Sequence, residues 1–256
     1  MDTSTIPIEP TVDKNSAAVQ AMFDQIAGRY DLLNHLLSAN QDRRWRHRAI
    51  HLLSPRAGER ILDLCCGTGD LGFECLRQQP ACEVIGSDFS LPMLRLAQRK
   101  SNAGQNYLAA DALRLPFADA SFDSVMVGFG ARNFEDTRQG LSEMRRVVKP
   151  GGKLLILEFM RPESVLIERG FGLFFQHALP FVGRVVSKHR AAYYYLPASV
   201  RGFYNRSEFA GLLRSVGTNN VRSFQHSGGI ATTFLAQRRD LPRVGTPLAE
   251  SHRGTN

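Results

Sequence analysis

A glycine-rich turn between an apolar run and a helical pattern constrains this chain more than any other feature. Residues 61–65 read ILDLC, a run typical of a buried strand, and Gly67, Gly69 and Gly72 follow it in GxGxxG spacing. Glycines permit positive φ and let the backbone approach a ligand closely, and the N–H groups that start the next helix can then face that ligand. Several folds that bind adenosine-containing cofactors share this turn, and a tight turn without a ligand is the alternative.

The rest of the chain alternates short apolar runs with helical patterns, which predicts a mostly parallel sheet. Helices are predicted near residues 70–79, 90–101, 136–147 and 207–216. Strands are predicted, besides ILDLC, at residues 83–87, 106–109, 122–128, 153–159, 221–225 and 230–237. The expected fold class is therefore α/β and Rossmann-like, with a seven-stranded sheet and helices on both faces.

A single domain is expected over residues 16–238. Within it, residues 16–57 carry apolar residues at helical spacing, broken by Gly28 and Asn40, and predict helices ahead of the first strand. An apolar, aromatic insertion at residues 163–200 is expected on the substrate side of the domain. Disorder is predicted for the polar, Pro-containing ends of the chain, residues 1–15 and 239–256.

Composition and charge narrow the class of protein. The chain lacks a run of about 18 uncharged apolar residues and a secretory signal, so a cytoplasmic location is expected. The net charge of +8 would suit nucleic acid or an anionic membrane surface. The arginines are scattered outside one cluster, however, and no nucleic-acid-binding motif is present, so nucleic acid is not an expected partner. That cluster comprises Arg43, Arg44, Arg46 and Arg48.

Acidic residues further along the chain favour S-adenosylmethionine (SAM) over a dinucleotide. Asp88 ends the second strand, where its carboxylate can accept hydrogen bonds from both ribose hydroxyls. Asp111 ends the third strand, and a Pro-Gly-Gly turn at residues 150–152 enters the fifth. This combination resembles class I SAM methyltransferases. A dehydrogenase would also need a nicotinamide site, for which few residues remain.

The resemblance to class I enzymes implies a role for each residue near the cofactor. Asp63 would anchor the glycine loop, Asp88 would hold the ribose, and the backbone of Gly128 would contact SAM. Core packing is the alternative for Phe89 and Met93, and helix capping or a solvated loop for Asp88 and Asp111. The resemblance also implies contacts with three parts of SAM. Gly67, Thr68 and Gly69 would pass close to its methionine part, Phe89 and Met93 would flank the adenine, and Asp111 and Ala112 would meet the adenine edge.

Longer segments resemble the ubiquinone/menaquinone biosynthesis C-methyltransferases over residues 17–238. The most specific pair is RYDLLN at residues 29–34 with FGARN at residues 129–133. The segment NHLLSANQDRRWR is closer to bacterial demethylmenaquinone methyltransferases than to ubiquinone-pathway members. The chain departs from the family pattern twice. Gly128 stands where relatives often have a serine, and TTFLAQR at residues 232–238 stands where they often carry a histidine and a glycine.

The resemblance implies methyl transfer from SAM, without a metal, to a ring carbon of polyprenylated demethylmenaquinol, which gives menaquinol. Three alternatives stay open: the ubiquinone-pathway 2-polyprenyl-6-methoxy-1,4-benzoquinol as acceptor, another phenol or lipid acceptor, and a SAM- or nucleic-acid-binding module without catalysis. The oligomeric state also stays open, with a homodimer as one candidate.

Three residues are predicted to act on the acceptor. Arg132 and Asn133 follow the fourth strand, at the edge of the sheet where ligands bind. Because a guanidinium stays protonated, Arg132 is expected to stabilise the acceptor oxygen, and Asn133 to hydrogen-bond it or orient a water. Tyr30 is expected to close over the site with Asp31. The alternatives are a surface ion pair of Arg132 with Glu135 or Asp136, and a helix turn around Tyr30 with Asp31 as its cap. Glu158 is either a proton acceptor or a structural hydrogen-bonding partner.

The histidines and the insertion suggest less specific roles. His47 and His51 share a helix face but lack a third ligand nearby, so no metal site is predicted. His177 and His189 in the insertion could reach a quinol. The apolar insertion with its basic rim could hold a polyprenyl tail and lie on the inner face of the cell membrane, whereas core packing or a dimer contact would explain it equally.

Overall fold

The computed structural model describes residues 15–101, 105–161 and 190–239. The predicted disorder of residues 1–14 and 240–256, and the insertion up to residue 189 with its two histidines, lie outside these ranges. The described helices are α1 (Ser16–Ile26), α2 (Tyr30–Leu37), α3 (Gln41–Leu53), α4 (Asp70–Gln78), α5 (Leu91–Lys100), α6 (Thr137–Val147), α7 (Arg190–Arg201) and α8 (Arg206–Ser215). The strands are β1 (Arg60–Leu64), β2 (Glu83–Asp88), β3 (Asn106–Ala109), β4 (Phe122–Gly128), β5 (Val148–Phe159), β6 (Thr218–His226) and β7 (Ala231–Arg238).

The seven strands form one sheet in the order β3-β2-β1-β4-β5-β7-β6, which confirms the predicted fold class. Neighbours from β3 through to β5 pair in parallel, and β7 alone runs antiparallel to both of its neighbours. The strand order reverses between β1 and β4. The carboxyl ends of these two strands therefore border the crevice where ligands bind in such sheets.

Helices cover both faces of the sheet because successive strand residues point to opposite sides. On β1, Leu62 and Leu64 belong to a core cluster that includes residues of α6 and α8. Ile61, the neighbour of Leu62 that points to the other face, belongs to a second cluster that includes residues of α3 and α4. Two cores on opposite faces hold the strands in place, so the loops at the carboxyl edge are presented from a rigid support.

The N-terminal helices break where the sequence predicts. Gly28 lies in a short 3-10 turn between α1 and α2, and Asn40 adopts a φ of 59° directly before α3. Asn15 caps α1 by accepting a hydrogen bond from the N–H of Ala17. The chain thereby folds back twice before it enters β1, which places α1 and α2 beside the carboxyl edge of the sheet.

The largest differences from the prediction are at β5 and α7. β5 begins at Val148, before the Pro-Gly-Gly turn, because Val148 pairs with Phe122 across an irregularity in the β4–β5 register. α7 occupies residues assigned to the insertion, and it continues through Pro197. Hydrophobic periodicity indicates which faces of an element are buried. It therefore did not predict the early start of β5, which depends on backbone pairing.

Candidate active site

A cleft of about 650 Å³ opens at the carboxyl ends of β1 and β4. A narrower inner pocket adjoins it and shares four lining residues with it, Tyr30, Cys65, Gly67 and Gly128. The cleft is lined by many of the residues predicted to bind the cofactor or act on the acceptor, namely Tyr30, Gly67, Asp88, Phe89, Met93, Asp111, Ala112, Gly128 and Asn133. The inner pocket adds Asp63 and Thr68. Gly69 and Arg132 line neither cavity.

The glycine turn is held by two aspartates. The N–H of Gly67, which has a φ of 54°, donates to Asp88 Oδ2 at 2.8 Å. The N–H of Gly72 donates to Asp63 Oδ2 at 2.9 Å. Gly69 precedes α4 with a φ of 89°, and a Cβ there would lie 2.9 Å from the ring of Phe73. Gly69 therefore shapes the turn rather than a cavity wall.

Asp88 places a nearly buried carboxylate on the wall of the cleft. Its Oδ1 accepts from the N–H of Ser90 at 2.9 Å, and its Oδ2 accepts from the N–H of Gly67. Burial raises the pKa of Asp88 to about 6, although hydrogen bonds from backbone N–H groups oppose the shift. Since each carboxylate oxygen can accept more than one hydrogen bond, Asp88 can still accept hydrogen bonds from a diol.

Asp63 carries an oxygen without a hydrogen-bond partner. The side chain is 1% exposed, and its Oδ1 has no partner among the described residues. Burial raises the pKa of this carboxyl to about 8, against the hydrogen bond from Gly72. An unsatisfied buried oxygen is costly, so the inner pocket suits a cationic or hydrogen-bond-donating ligand group beside Asp63.

The opposite part of the cleft is apolar with an acidic edge. Met93 is 2% exposed and also lines the cleft, so its side chain packs in the core and forms part of the wall at the same time. Asp111 is exposed, and its Oδ1 accepts from the N–H of Leu113 at 2.9 Å. Phe89 and Ala112 complete this side, so an aromatic ligand group could pack against it.

Helices α1 and α2 close one side of the cleft. Phe23 and Tyr30 contribute side chains to its wall. Gln20 Nε2 donates to the carbonyl oxygen of Phe89 at 2.8 Å, and Ser90 Oγ donates to Asp24 Oδ1 at 2.5 Å. These bonds fix α1 to the loop that follows β2.

Asp31 ties α2 to the glycine turn rather than capping the helix. Thr68 Oγ1 donates to Asp31 Oδ1 at 2.5 Å, and Lys100 Nζ donates to Asp31 Oδ2 at 2.9 Å. Lys100 also donates to Asp70 at 2.6 Å. Burial would raise the pKa of Asp31, but the bonds from Thr68 and Lys100 outweigh it and hold that pKa below its ordinary value. These contacts set the position of Tyr30, the residue before Asp31.

Arg132 is buried behind the cleft and paired with Glu158. Its Nη1 donates to Glu158 Oε1 at 2.7 Å and to the carbonyl oxygen of Phe129 at 2.6 Å. Glu158 is 0% exposed. The alternative of a surface ion pair with Glu135 or Asp136 is therefore wrong, because the guanidinium points inward. Burial would lower the pKa of Arg132, but the Glu158 carboxylate outweighs it and raises that pKa.

Two tyrosines flank the buried guanidinium. Tyr195, on α7, donates from its hydroxyl to Asn133 Oδ1 at 3.0 Å. Burial raises the pKa of both Tyr30 and Tyr195, and the positive charge of Arg132 opposes the shift in each. Sequence reasoning missed Tyr195, and the only signal was its place in the aromatic run YYYL.

The two departures from the family pattern are a half-buried glycine at the end of β4 and a largely buried segment of β7. A Cβ added to Gly128 would lie 3.2 Å from Leu71 Cδ2, so the wall is tight at this point. Thr232 and Thr233 are buried on β7, and Thr233 Oγ1 lies 2.7 Å from Nε2 of His226 on β6. A histidine thus lies beside the last strand, on its neighbour.

The remaining predictions concern metals and membranes. His47 Nδ1 lies 2.9 Å from Glu74 Oε1, on the exposed side of α3. Within the described ranges, no group of three or more His, Cys, Asp or Glu side chains could hold a metal ion. None of the described helices is both long and apolar enough to cross a bilayer.

Comparison with known sequences gives strong matches along most of the chain. A sequence model of the ubiE/COQ5 methyltransferase family matches residues 11–238. A demethylmenaquinone methyltransferase of Deinococcus radiodurans is 47% identical over 236 residues, which are 91% of this chain and 97% of the relative. The Thermus thermophilus protein of that name is 43% identical over 85% of this chain and 100% of its own. A ubiquinone/menaquinone biosynthesis C-methyltransferase of Geotalea uraniireducens is 41% identical over 86% of this chain and 96% of its own.

Solved structures match the fold at lower identity. A SAM-dependent methyltransferase from Thermotoga maritima aligns with a TM-score of 0.62 at 19% identity, over 86% of this chain and 99% of that one. A phosphoethanolamine N-methyltransferase of Haemonchus contortus, solved with S-adenosyl-L-methionine, aligns with a TM-score of 0.56 at 16% identity, over 76% of this chain and 52% of that one. Both support the class I methyltransferase fold.

Proposed function

The chain belongs to the ubiE/COQ5 methyltransferase family, and we propose that this methyltransferase acts on a ring carbon of demethylmenaquinol and so forms menaquinol. The observation that carries the proposal is the arrangement at the end of β4. Asn133 lines the cleft and accepts a hydrogen bond from Tyr195, while the guanidinium of Arg132 lies buried behind it. The printed names of the relatives from Deinococcus and Thermus supply the quinol as the acceptor.

The cleft fits SAM, the methyl donor of the family. Asp88 would hold the ribose diol, and the apolar side formed with Phe89 and Met93 would hold the adenine. The partnerless Oδ1 of Asp63 would face the cationic methionine end of the ligand. When bound, SAM supplies an electrophilic methyl group on its sulfonium.

The chain's own residues would activate the acceptor. An aromatic carbon becomes a good nucleophile when the neighbouring ring hydroxyl loses its proton, and a nearby fixed positive charge favours that loss. Glu158 fixes the charged guanidinium of Arg132 behind the cleft, and Arg132 would act on this oxygen through the low-dielectric interior rather than by direct contact. Asn133 would contact the oxygen, because it lines the cleft. Tyr30 would exclude water from the side of α2 and keep the ring in place.

Further properties follow from the proposed acceptor. A polyprenyl quinol resides in the lipid bilayer, so we propose a cytoplasmic enzyme that works at the membrane surface. We propose no metal, since the methyl group is already activated. The ubiquinone-pathway benzoquinol is the second candidate acceptor, because the relative from Geotalea carries both pathways in its printed name.

Methyl-labelled SAM tests the proposal directly. The purified protein would be incubated with a short-chain reduced demethylmenaquinone analogue and, separately, with the methoxy-benzoquinol analogue. We expect label on the naphthoquinol ring carbon, located by NMR of the product, and at least tenfold less with the benzoquinol. Asp88→Ala serves as the control that loses SAM. Label only on other acceptors, only on oxygen, or SAM that binds but is not consumed would contradict the assignment.

A further inference from the structure

Most of the arginine cluster at residues 43–48 lies outside the candidate active site. Arg46 is buried, pairs with Asp42 and borders the inner pocket. Arg43, Arg44 and Arg48 are exposed instead. Within the described ranges, no carboxylate forms an ion pair with any of these three. Three guanidinium groups thus share one solvent-exposed side of α3.

The geometry of α3 concentrates this charge on one side of the helix. Its buried residues are Asp42, Trp45, Arg46, Ala49, Ile50 and Leu53. Of these, the four apolar ones pack in the core cluster on one face of the sheet. Arg44 and Arg48 are four residues apart, so their side chains lie one above the other on the outer side. The outer side of α3 carries no acidic residue, because Asp42, the sole acid of the helix, is buried.

Helix α2, the helix before α3 in the chain, adds two exposed apolar side chains. Leu32 is 49% exposed and Leu36 is 38% exposed, and they too lie four residues apart on one face. His35 Nδ1 lies 2.9 Å from Asp42 Oδ2, and Ser38 Oγ donates to Asp42 Oδ1 at 2.6 Å. These bonds fix α2 to the start of α3, so the leucines and the arginines keep a constant spacing.

We propose that these exposed residues form a docking face for anionic lipid bilayers, defined as Leu32, Leu36, Arg43, Arg44 and Arg48. Arginines would contact the anionic headgroups, and the leucines would enter the headgroup–acyl boundary. Exposed leucines favour a bilayer over nucleic acid, which offers phosphate charge but no apolar layer beside it. The docking face rests on the proposed function in one respect, since a lipid acceptor gives the enzyme a reason to bind membranes.

The location of the docking face suits delivery of a lipid substrate. The helix that exposes Leu32 and Leu36 also directs Tyr30 into the cleft. Binding through this helix would hold the cleft within about one helix diameter, roughly 10 Å, of the bilayer surface. The docking face shares no residue with the sequence insertion at residues 163–200, so substitutions can test each separately.

Flotation with vesicles of phosphatidylglycerol and phosphatidylcholine tests the docking face. We expect the full-length protein to float with anionic vesicles at low salt and not with pure phosphatidylcholine. Arg44→Glu/Arg48→Glu should lower the partition coefficient at least tenfold, and Leu32→Ser/Leu36→Ser at least threefold. The matched control is Arg138→Glu/Arg214→Glu, which makes the same change of charge at exposed positions of α6 and α8, on the opposite face of the sheet. This control should float as the unchanged protein does.

Each contrary result overturns the docking face. No flotation of the unchanged protein, undiminished flotation of both test variants, or equal loss in the control would each do so. Preferential binding to a DNA duplex that persists in Leu32→Ser/Leu36→Ser would assign the face to nucleic acid instead. Turnover of a short-chain quinol analogue without vesicles, measured in the same variants, should stay within twofold of the unchanged protein. That assay separates failure of the docking face from failure of the proposed function, since only the latter would leave the analogue unmethylated.

Discussion

Glu158 accepts hydrogen bonds from two groups of Arg132, the Nη1 of the guanidinium at 2.7 Å and the main-chain N–H at 3.1 Å. Both residues are buried, Arg132 in the turn that follows β4 and Glu158 near the end of β5. A buried charge that loses its partner destabilises a protein strongly. The pair therefore supports the fold and, at the same time, fixes the charge that the proposed mechanism requires.

Replacing Glu158 with Gln should separate these contributions. We expect Glu158→Gln to lower the free energy of unfolding by about 3 kcal/mol, because the guanidinium stays buried without its counter-charge. Below the temperature of unfolding, kcat should fall at least tenfold, because the guanidinium loses the partner that fixes its position. The affinity for S-adenosylhomocysteine, the product formed from SAM, should stay nearly unchanged. Urea denaturation and steady-state kinetics would measure both. Glu83→Gln, which breaks the exposed pair with Arg60, should change stability by less than about 1 kcal/mol. A Glu158→Gln enzyme with full activity would argue against the role of the pair.

Binding of S-adenosylhomocysteine, the product of SAM, should depend on pH through Asp88. The ionised carboxylate accepts hydrogen bonds from the ribose, and its pKa is about 6 in the ligand-free protein. The ligand must therefore expel a proton at low pH, and its affinity should fall roughly tenfold from pH 7 to pH 5. Titration calorimetry would follow this change. Asp88→Asn should bind weakly and show no step near pH 6. A step of the same size in that variant would assign the titration to another group.

Gly128 allows a test of the tight wall beside Leu71. Gly128→Ser should be tolerated, since the glycine has no positive φ and the nearest atom is the end of a flexible side chain, 3.2 Å away. The free energy of binding S-adenosylhomocysteine should stay within about 1 kcal/mol of that of the unchanged protein. Gly128→Val should lose binding at least tenfold, because a branched side chain enters both cavities. Calorimetry and circular dichroism would distinguish lost binding from lost folding. Equal affinities for the two variants would show that the ligand lies away from this wall.

Tyr195 is expected to position Asn133. Tyr195→Phe removes the hydroxyl that donates to Asn133 Oδ1, and kcat should fall by roughly tenfold while product affinity stays constant. The amide would then turn more freely, so KM for the quinol should rise as well. Tyr204→Phe is the control, since Tyr204 packs against Phe203 and Phe209 in an aromatic cluster away from the cleft. If product affinity fell together with kcat, Tyr195 would support the cofactor side instead.

Local patterns in the sequence predict most of the fold. The strand at residues 106–109 and the strand at residues 122–128 match the structure residue for residue. Both strands combine apolar residues with clear turn residues at each end, and the alternation of strands with helices then determines the parallel order. The early start of β5 could not be predicted in this way, because it depends on pairing between Val148 and Phe122.

The candidate site is predictable where its residues follow strands directly. Asp63 lies on β1, Gly67 follows that strand and Asp88 ends β2, so the parallel order of the two strands brings them to one edge of the sheet. The partner of Arg132 is 26 residues away on another strand, and the nearer acids Glu135 and Asp136 gave a wrong alternative. The contact of Tyr195 with Asn133 spans 62 residues. Contacts of this kind depend on tertiary packing, which spacing in one sequence does not encode.

Phe23 and Tyr30 line the cleft although both precede β1 in the chain. A fragment that began at Arg60 would keep every strand of the sheet, yet one side of its ligand cavity would be open to water. Grafting the glycine turn and its aspartates onto another Rossmann scaffold would have the same defect. Any minimal or redesigned version of this enzyme must therefore carry residues 16–37 along with the sheet.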